Sequence, residues 1–166
     1  MKKTMLVILA ILVLMSLASC TKTPPDAPQK TYVFRYGQTE IAVDAEAEGI
    51  LSQLGAYLDY AESPSCAFEG MDKVYLYSGF RVQTYSLGGK DYIHSVELTD
   101  DSVSTPEGVT VGSTVADVTA AYGTPTSSTE TSLTYADSAN GMYLQFILRG
   151  GTVTNVSYVT ETKAPG

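Results

Sequence analysis

"VTVGSTVADVTAAYG", residues 109–123, aligns without a gap on "IAVDAEAEGILSQLG", residues 41–55, 68 positions earlier. Ile41, Val43, Ile50 and Leu54 stand where the second stretch has Val109, Val111, Val118 and Tyr122, and Gly55 stands where it has Gly123. Each stretch opens on alternating apolar residues, which is a strand pattern. The apolar spacing then turns helical, through Ala47, Ile50, Leu51 and Leu54 in the first and Val115, Val118, Thr119 and Tyr122 in the second. Thr114 and Asp117 form a T-x-x-D capping pattern. Gly123 can close that helix in a left-handed conformation, and Pro125 blocks its continuation. In the first stretch Asp44 is the expected cap, and Gly49 weakens the helix by about 1 kcal/mol relative to Ala.

The correspondence continues downstream. "GFRVQTYSLGGK" (79–90) matches "GMYLQFILRGGT" (141–152), with Gly79, Gln83, Gly88 and Gly89 recurring as Gly141, Gln145, Gly150 and Gly151. Both read as strands running into Gly-Gly hairpin turns. "KVYLY" (73–77) and "SLTYA" (132–136) precede them, and "YIHSVEL" (92–98) and "VTNVSYV" (153–159) follow. "TYVFRY" (31–36), turning through Gly37–Gln38, adds an opening strand. The expectation is an α+β fold of two tandem β-α-β-β-β units, over 31–98 and 109–160. They would share a mostly antiparallel sheet with short helices on one face. The connector 99–108 carries Pro106 and Gly108 as breakers, and 161–166 is a tail. A unit of about 60 residues buries little on its own, which favours packing the two together.

"VTVGSTVADVTAAYGTP" resembles the helix start of the BamE/SmpA-like superfamily: an apolar residue, Gly, Ser/Thr, Val, then Gly-x-Pro. The tandem arrangement is similar to β-lactamase inhibitor protein-like repeats. "SCAFEGMDKVYLY" (65–77) and "DDSVSTPEGVTVG" (100–112) also resemble a group of small lipoproteins of Gram-positive type. The resemblance implies a fold rather than an activity. Inhibition is not carried over, because the inhibitor repeats hold disulfides and this chain has only Cys66 beside Cys20.

The first residues read as an export signal. Lys2 and Lys3 precede the uncharged run "MLVILAILVLMSLAS", which meets "LASC" at Leu17–Cys20. The run is shorter than the roughly 20 apolar residues of a membrane span. "LASC" resembles a bacterial lipobox, which implies a signal peptide over 1–19 and cleavage between Ser19 and Cys20. Cys20 would then be lipidated on sulfur, with acyl chains such as palmitate, and become the new N-terminus. A plain signal peptide and an uncleaved anchor are the alternatives. Two or more acyl chains hold a protein durably to a membrane. Residues 20–30, with three Pro, then form a stiff tether. Loss of Lys2 and Lys3 leaves eight basic against eighteen acidic side chains, a net charge of −10. That disfavours nucleic acid and anionic head groups as partners. The expected location is the extracytoplasmic face of the cell membrane, and the expected partners are the membrane itself and an envelope protein.

No pattern of residues points to catalysis, so the expected function is a non-enzymatic protein-binding or scaffold module; a small-ligand or glycan binder is the alternative, and a hydrolase a minor one. Cys66 and His94 could form a thiol dyad, but nothing local resembles a nucleophile motif, and Cys66 is expected to be buried. Glu97, Asp100 and Asp101 cluster without the spacing of a calcium loop. One Cys and one His do not make a zinc site, and no cofactor is expected. Strand parity puts Val74, Leu76, Phe80 and Val82, with Leu133, Met142, Leu144 and Phe146, toward the helices. The opposite parity holds Tyr75, Tyr77, Arg81, Gln83, Tyr85, Tyr143, Gln145 and Arg149. Tyr and Arg are enriched at interface hot spots, which makes these eight the candidate binding face.

Overall fold

A computed structural model describes residues 31–137 and 140–160. Ser19, Cys20 and the expected signal, tether and tail lie outside them. Ten strands and two helices follow in order: β1 (Phe34–Tyr36), β2 (Thr39–Ile41), α1 (Ala47–Leu54), β3 (Asp59–Pro64), β4 (Met71–Leu76), β5 (Phe80–Leu87), β6 (Lys90–Leu98), α2 (Val115–Tyr122), β7 (Ser127–Ser128), β8 (Ser132–Asp137), β9 (Met142–Arg149) and β10 (Thr152–Thr160). Eight strands form one antiparallel sheet in the order β3-β4-β5-β6-β10-β9-β8-β7, and β1 and β2 form a separate hairpin.

The expected α+β fold of β-α-β-β-β units is overturned: the protein is mostly β. Its helices have only eight residues each. The opening stretches add no strand to the large sheet. Residues 39–41 pair only with β1, and residues 109–111 form no strand. Four sheet strands, not three, follow each helix, because β3 and β7 add an edge on either side. Val109 is buried nonetheless, held by a loop in which its amide donates to Thr105 Oγ1 at 3.1 Å. Apolar alternation there signals burial without strand pairing.

One face of the sheet carries the core. Rows of side chains run straight across the strands, as opposed residues on an antiparallel pair share a face. One row is Tyr75, Val82, Val96, Tyr158, Leu144 and Tyr135; the next is Phe80, Leu98, Val156, Phe146 and Leu133. From Val82 and Phe80 onward these residues are at most 2% exposed. Over them lie the β1–β2 hairpin, whose Phe34 ring sits 5.2 Å from Phe80 and 5.9 Å from Tyr158, and helix α2, which brings Val118 and Tyr122. Ile50, Leu51 and Leu54 of α1 pack at the border of the same core, as do Val43 and Val111.

The helix starts differ. Thr114 Oγ1 accepts from the Asp117 amide at 3.2 Å, and Asp117 Oδ2 accepts from the Thr114 amide at 2.8 Å, a complete capping box. Helix α1 is capped by Glu46 without a side-chain bond, and not by Asp44. Asp44 instead occupies a bulge: its amide donates to the Ile93 carbonyl at 2.8 Å while the Ile93 amide donates to the Ala45 carbonyl at 2.9 Å. Two residues thus face one, and the first takes a positive φ, the conformation of a glycine bulge. Gly112 does the same against Val153, at 2.8 Å for both bonds and φ 95°. Asp44, at φ 62°, is the one non-glycine with positive φ among the described residues.

Candidate binding face

The second sheet face bears neither helix. Its central row runs Leu76, Arg81, Glu97, Ser157, Gln145 and Thr134, and beside it runs Val74, Gln83, Ser95, Val159, Tyr143 and Ala136. Most of these side chains are half-buried. Arg81 Nε donates to Glu97 Oε2 at 2.6 Å, Asn155 Nδ2 donates to Glu97 Oε1, and Ser157 Oγ donates to Asn155 Oδ1 at 2.7 Å. This chain of bonds crosses β5, β6 and β10, so it ties the two halves of the sheet together at the centre of the face. A partly desolvated ion pair with further hydrogen bonds is geometrically fixed, whereas an isolated surface pair is worth little. The Arg81 side chain stays 41% exposed, so its guanidinium remains reachable.

The eight residues expected on this face divide. Arg81, Gln83, Tyr143 and Gln145 lie on it, and Arg149 lies exposed at the end of β9. Tyr75 and Tyr77 do not. Tyr75 stands opposite Val82 on the core side, and Tyr77 is 5% exposed with its ring stacked on Phe80 at 5.0 Å. The cause is the Ser78–Gly79 turn. Leu76 pairs with Arg81, and the Tyr77 amide donates to the Phe80 carbonyl at 2.8 Å. A two-residue turn sets even positions against odd ones, so the inward parity reverses between β4 and β5. Val74 and Leu76, expected toward the helices, therefore lie on the open face. Tyr85 has the outward parity but is covered by Phe68, whose ring stacks on it at 4.8 Å. Its hydroxyl donates to Asp44 Oδ1 at 3.0 Å, and burial followed by that bond pushes the phenol up to about 12.

Glu97, Asn155, Ser157 and Val159 are face residues that sequence reasoning passed over. Bulges at His94 and Thr154 shift the parity along β6 and β10, which hides them. Their signal was the polar-apolar alternation in "SVEL" and "NVSYV".

The other candidates disperse. Glu97 is committed to Arg81 and Asn155, while Asp100 accepts from the Ser102 amide at 2.8 Å. Among the described residues no group of three or more His, Cys, Asp and Glu side chains could hold a metal ion. Cys66, expected to be buried, is exposed in the β3–β4 loop, where Phe68 is the residue turned inward. His94 lines a cleft of about 180 Å³ with Phe68, Asp72 and Tyr85. Burial pulls its imidazole below the usual value, and the Asp72 and Asp44 carboxylates partly oppose that. Comparison with known protein families, characterised proteins and solved structures finds no match.

Proposed function

We propose that this chain is a membrane-tethered extracytoplasmic lipoprotein, anchored through Cys20, that binds an envelope protein without catalysing a reaction. The observation behind the reading is the open sheet face: broad, free of helices, and centred on the fixed Arg81–Glu97–Asn155–Ser157 network with Val74, Leu76, Val159 and Tyr143 around it. Apolar and aromatic side chains around a preorganised arginine are the composition of an interface centre. The anchor rests on the lipobox resemblance, and the kinship to BamE/SmpA-like proteins rests on the helix-start motif. Photo-crosslinking in intact cells tests the reading. A crosslinker at Gln83 or Gln145 should capture one and the same protein, and a crosslinker at Ala116 on α2 should not. Capture of different proteins at the two face positions, or equal capture at Ala116, would reject it.

A further inference from the structure

We propose that the groove between α1 and the outer strands of the first half, on the helix side of the sheet, binds a neutral carbohydrate. The two ends of one core row make the first argument. Tyr75 and Tyr135 stand at opposite ends of the row Tyr75, Val82, Val96, Tyr158, Leu144, Tyr135. Tyr135 is sealed: it is 2% exposed, the rings of Tyr122 and Tyr32 lie 5.4 and 6.3 Å away, and its hydroxyl donates to the Gly123 carbonyl at 3.0 Å. In sequence Leu54 stands where Tyr122 does, and the rings that flank Tyr75, those of Tyr57 and Tyr60, are themselves exposed. There Tyr75 borders an open groove of about 390 Å³. That volume falls within the roughly 300–1,000 Å³ of small-molecule sites.

The walls supply the chemistry. Of the tyrosines only Tyr75 lines the groove itself; the rings of Tyr57 and Tyr60 pack on Tyr75 beside it, at centroid distances of 5.4 and 5.1 Å. They stay 48% and 37% exposed, and Leu58 beside them is 73% exposed. Together they give the groove an exposed apolar rim. The opposite wall is polar: Lys90 pairs with Glu46 at 2.8 Å, and Asp91 pairs with Lys73 at 2.6 Å. These four charges are matched, and Glu48, which also lines the groove, leaves it slightly acidic, so it does not favour an anionic ligand. Each pair still has spare donors and acceptors, and the Lys90 and Glu46 side chains are 57% and 46% exposed. A sugar ring matches both walls. Its axial C–H groups, slightly positive, lie against the negative face of a tyrosine ring. Its vicinal hydroxyls bridge an ammonium and a carboxylate.

The site lies on the opposite side of the sheet from the proposed docking face, so either can fail without the other. The test titrates the full chain, held in detergent micelles, with chitotriose, cellotetraose and maltotetraose by saturation-transfer NMR, and with the peptide Gly-Tyr-Gly as a competing ligand class. Saturable binding of at least one oligosaccharide is expected. The double variant Tyr57→Ala/Tyr60→Ala should weaken it at least about tenfold, with an unchanged melting midpoint, while Gln145→Ala on the other face leaves it intact. No saturable binding of any oligosaccharide up to about 10 mM, binding that survives the double variant, or binding of the peptide alone would overturn the proposal.

Discussion

Asp44 concentrates more constraint than any other single residue described. Its backbone sits at φ 62°, where Gly112 sits in the second half, and its carboxylate accepts from Tyr85 at 3.0 Å and from Thr160 Oγ1 at 2.8 Å. A glycine would relieve the backbone, since left-handed geometry costs a residue with a Cβ about 1–2 kcal/mol, but it would lose the carboxylate that bridges Tyr85 and Thr160. Asp44→Ala should therefore lose about 1–3 kcal/mol in urea unfolding. Asp44→Gly should lose about 1 kcal/mol less, and equal losses would mean that the backbone is unstrained. Cys66 carries the other expectation at this scale. Free cysteines are usually buried, and nothing in "SPSCAFEG" distinguishes Cys66 from Phe68 as the inward residue; the loop's closure over Tyr85 decides it. The native thiol should react with a thiol reagent nearly as fast as in denatured protein, and strong protection would place it inside.

At the scale of elements, alternation exposed the strands that bury one face, and the T-x-x-D pattern exposed the one complete cap. Thr114→Ala should cost about 1 kcal/mol by chemical denaturation; Glu46→Ala, which removes no side-chain cap bond, should cost much less. A loss at Glu46 as large as that at Thr114 would contradict the capping geometry. Strand β3 was not legible, because "DYAESP" is exposed along its whole length and ends in proline. Such an edge strand is defined by its neighbour and not by a pattern of its own. The inward parity of β4 was not legible either. It depends on whether the Tyr77–Phe80 connection spans two residues or three, and that choice is made by packing. An added Cβ at Gly79 would meet Ser102 Oγ at 2.3 Å, so the 99–108 connector presses the turn into place.

On the scale of the whole molecule, the two similar stretches pointed to helices and hairpins but misled about class. Residues 41–43 and 109–111 look like strands because they are apolar on one side, yet the sheet is completed by β3 and β7, which carry no such pattern. The antiparallel pairing of β6 with β10 makes one eight-stranded sheet of both halves, and the Arg81–Glu97–Asn155 network spans that junction. One face is closed by α2, the β1–β2 hairpin and, at its border, α1; the other is open except where the β3–β4 loop lays Phe68 over Tyr85. The anchor belongs to this scale too. Cys20→Ser should abolish acylation, leaving unprocessed precursor or released protein, and unchanged mass and membrane fractionation would reject the lipobox. The proposed protein partner would cover the open face in the cell. Gln145→Cys in a Cys66→Ser background gives the most direct test, by comparing labelling with a membrane-impermeant thiol reagent in intact cells and in purified protein. Gln145→Cys should label fast when purified and be protected in cells, with Ala116→Cys on α2 labelled equally in both. Equal labelling of Gln145→Cys in cells and in isolation would contradict it.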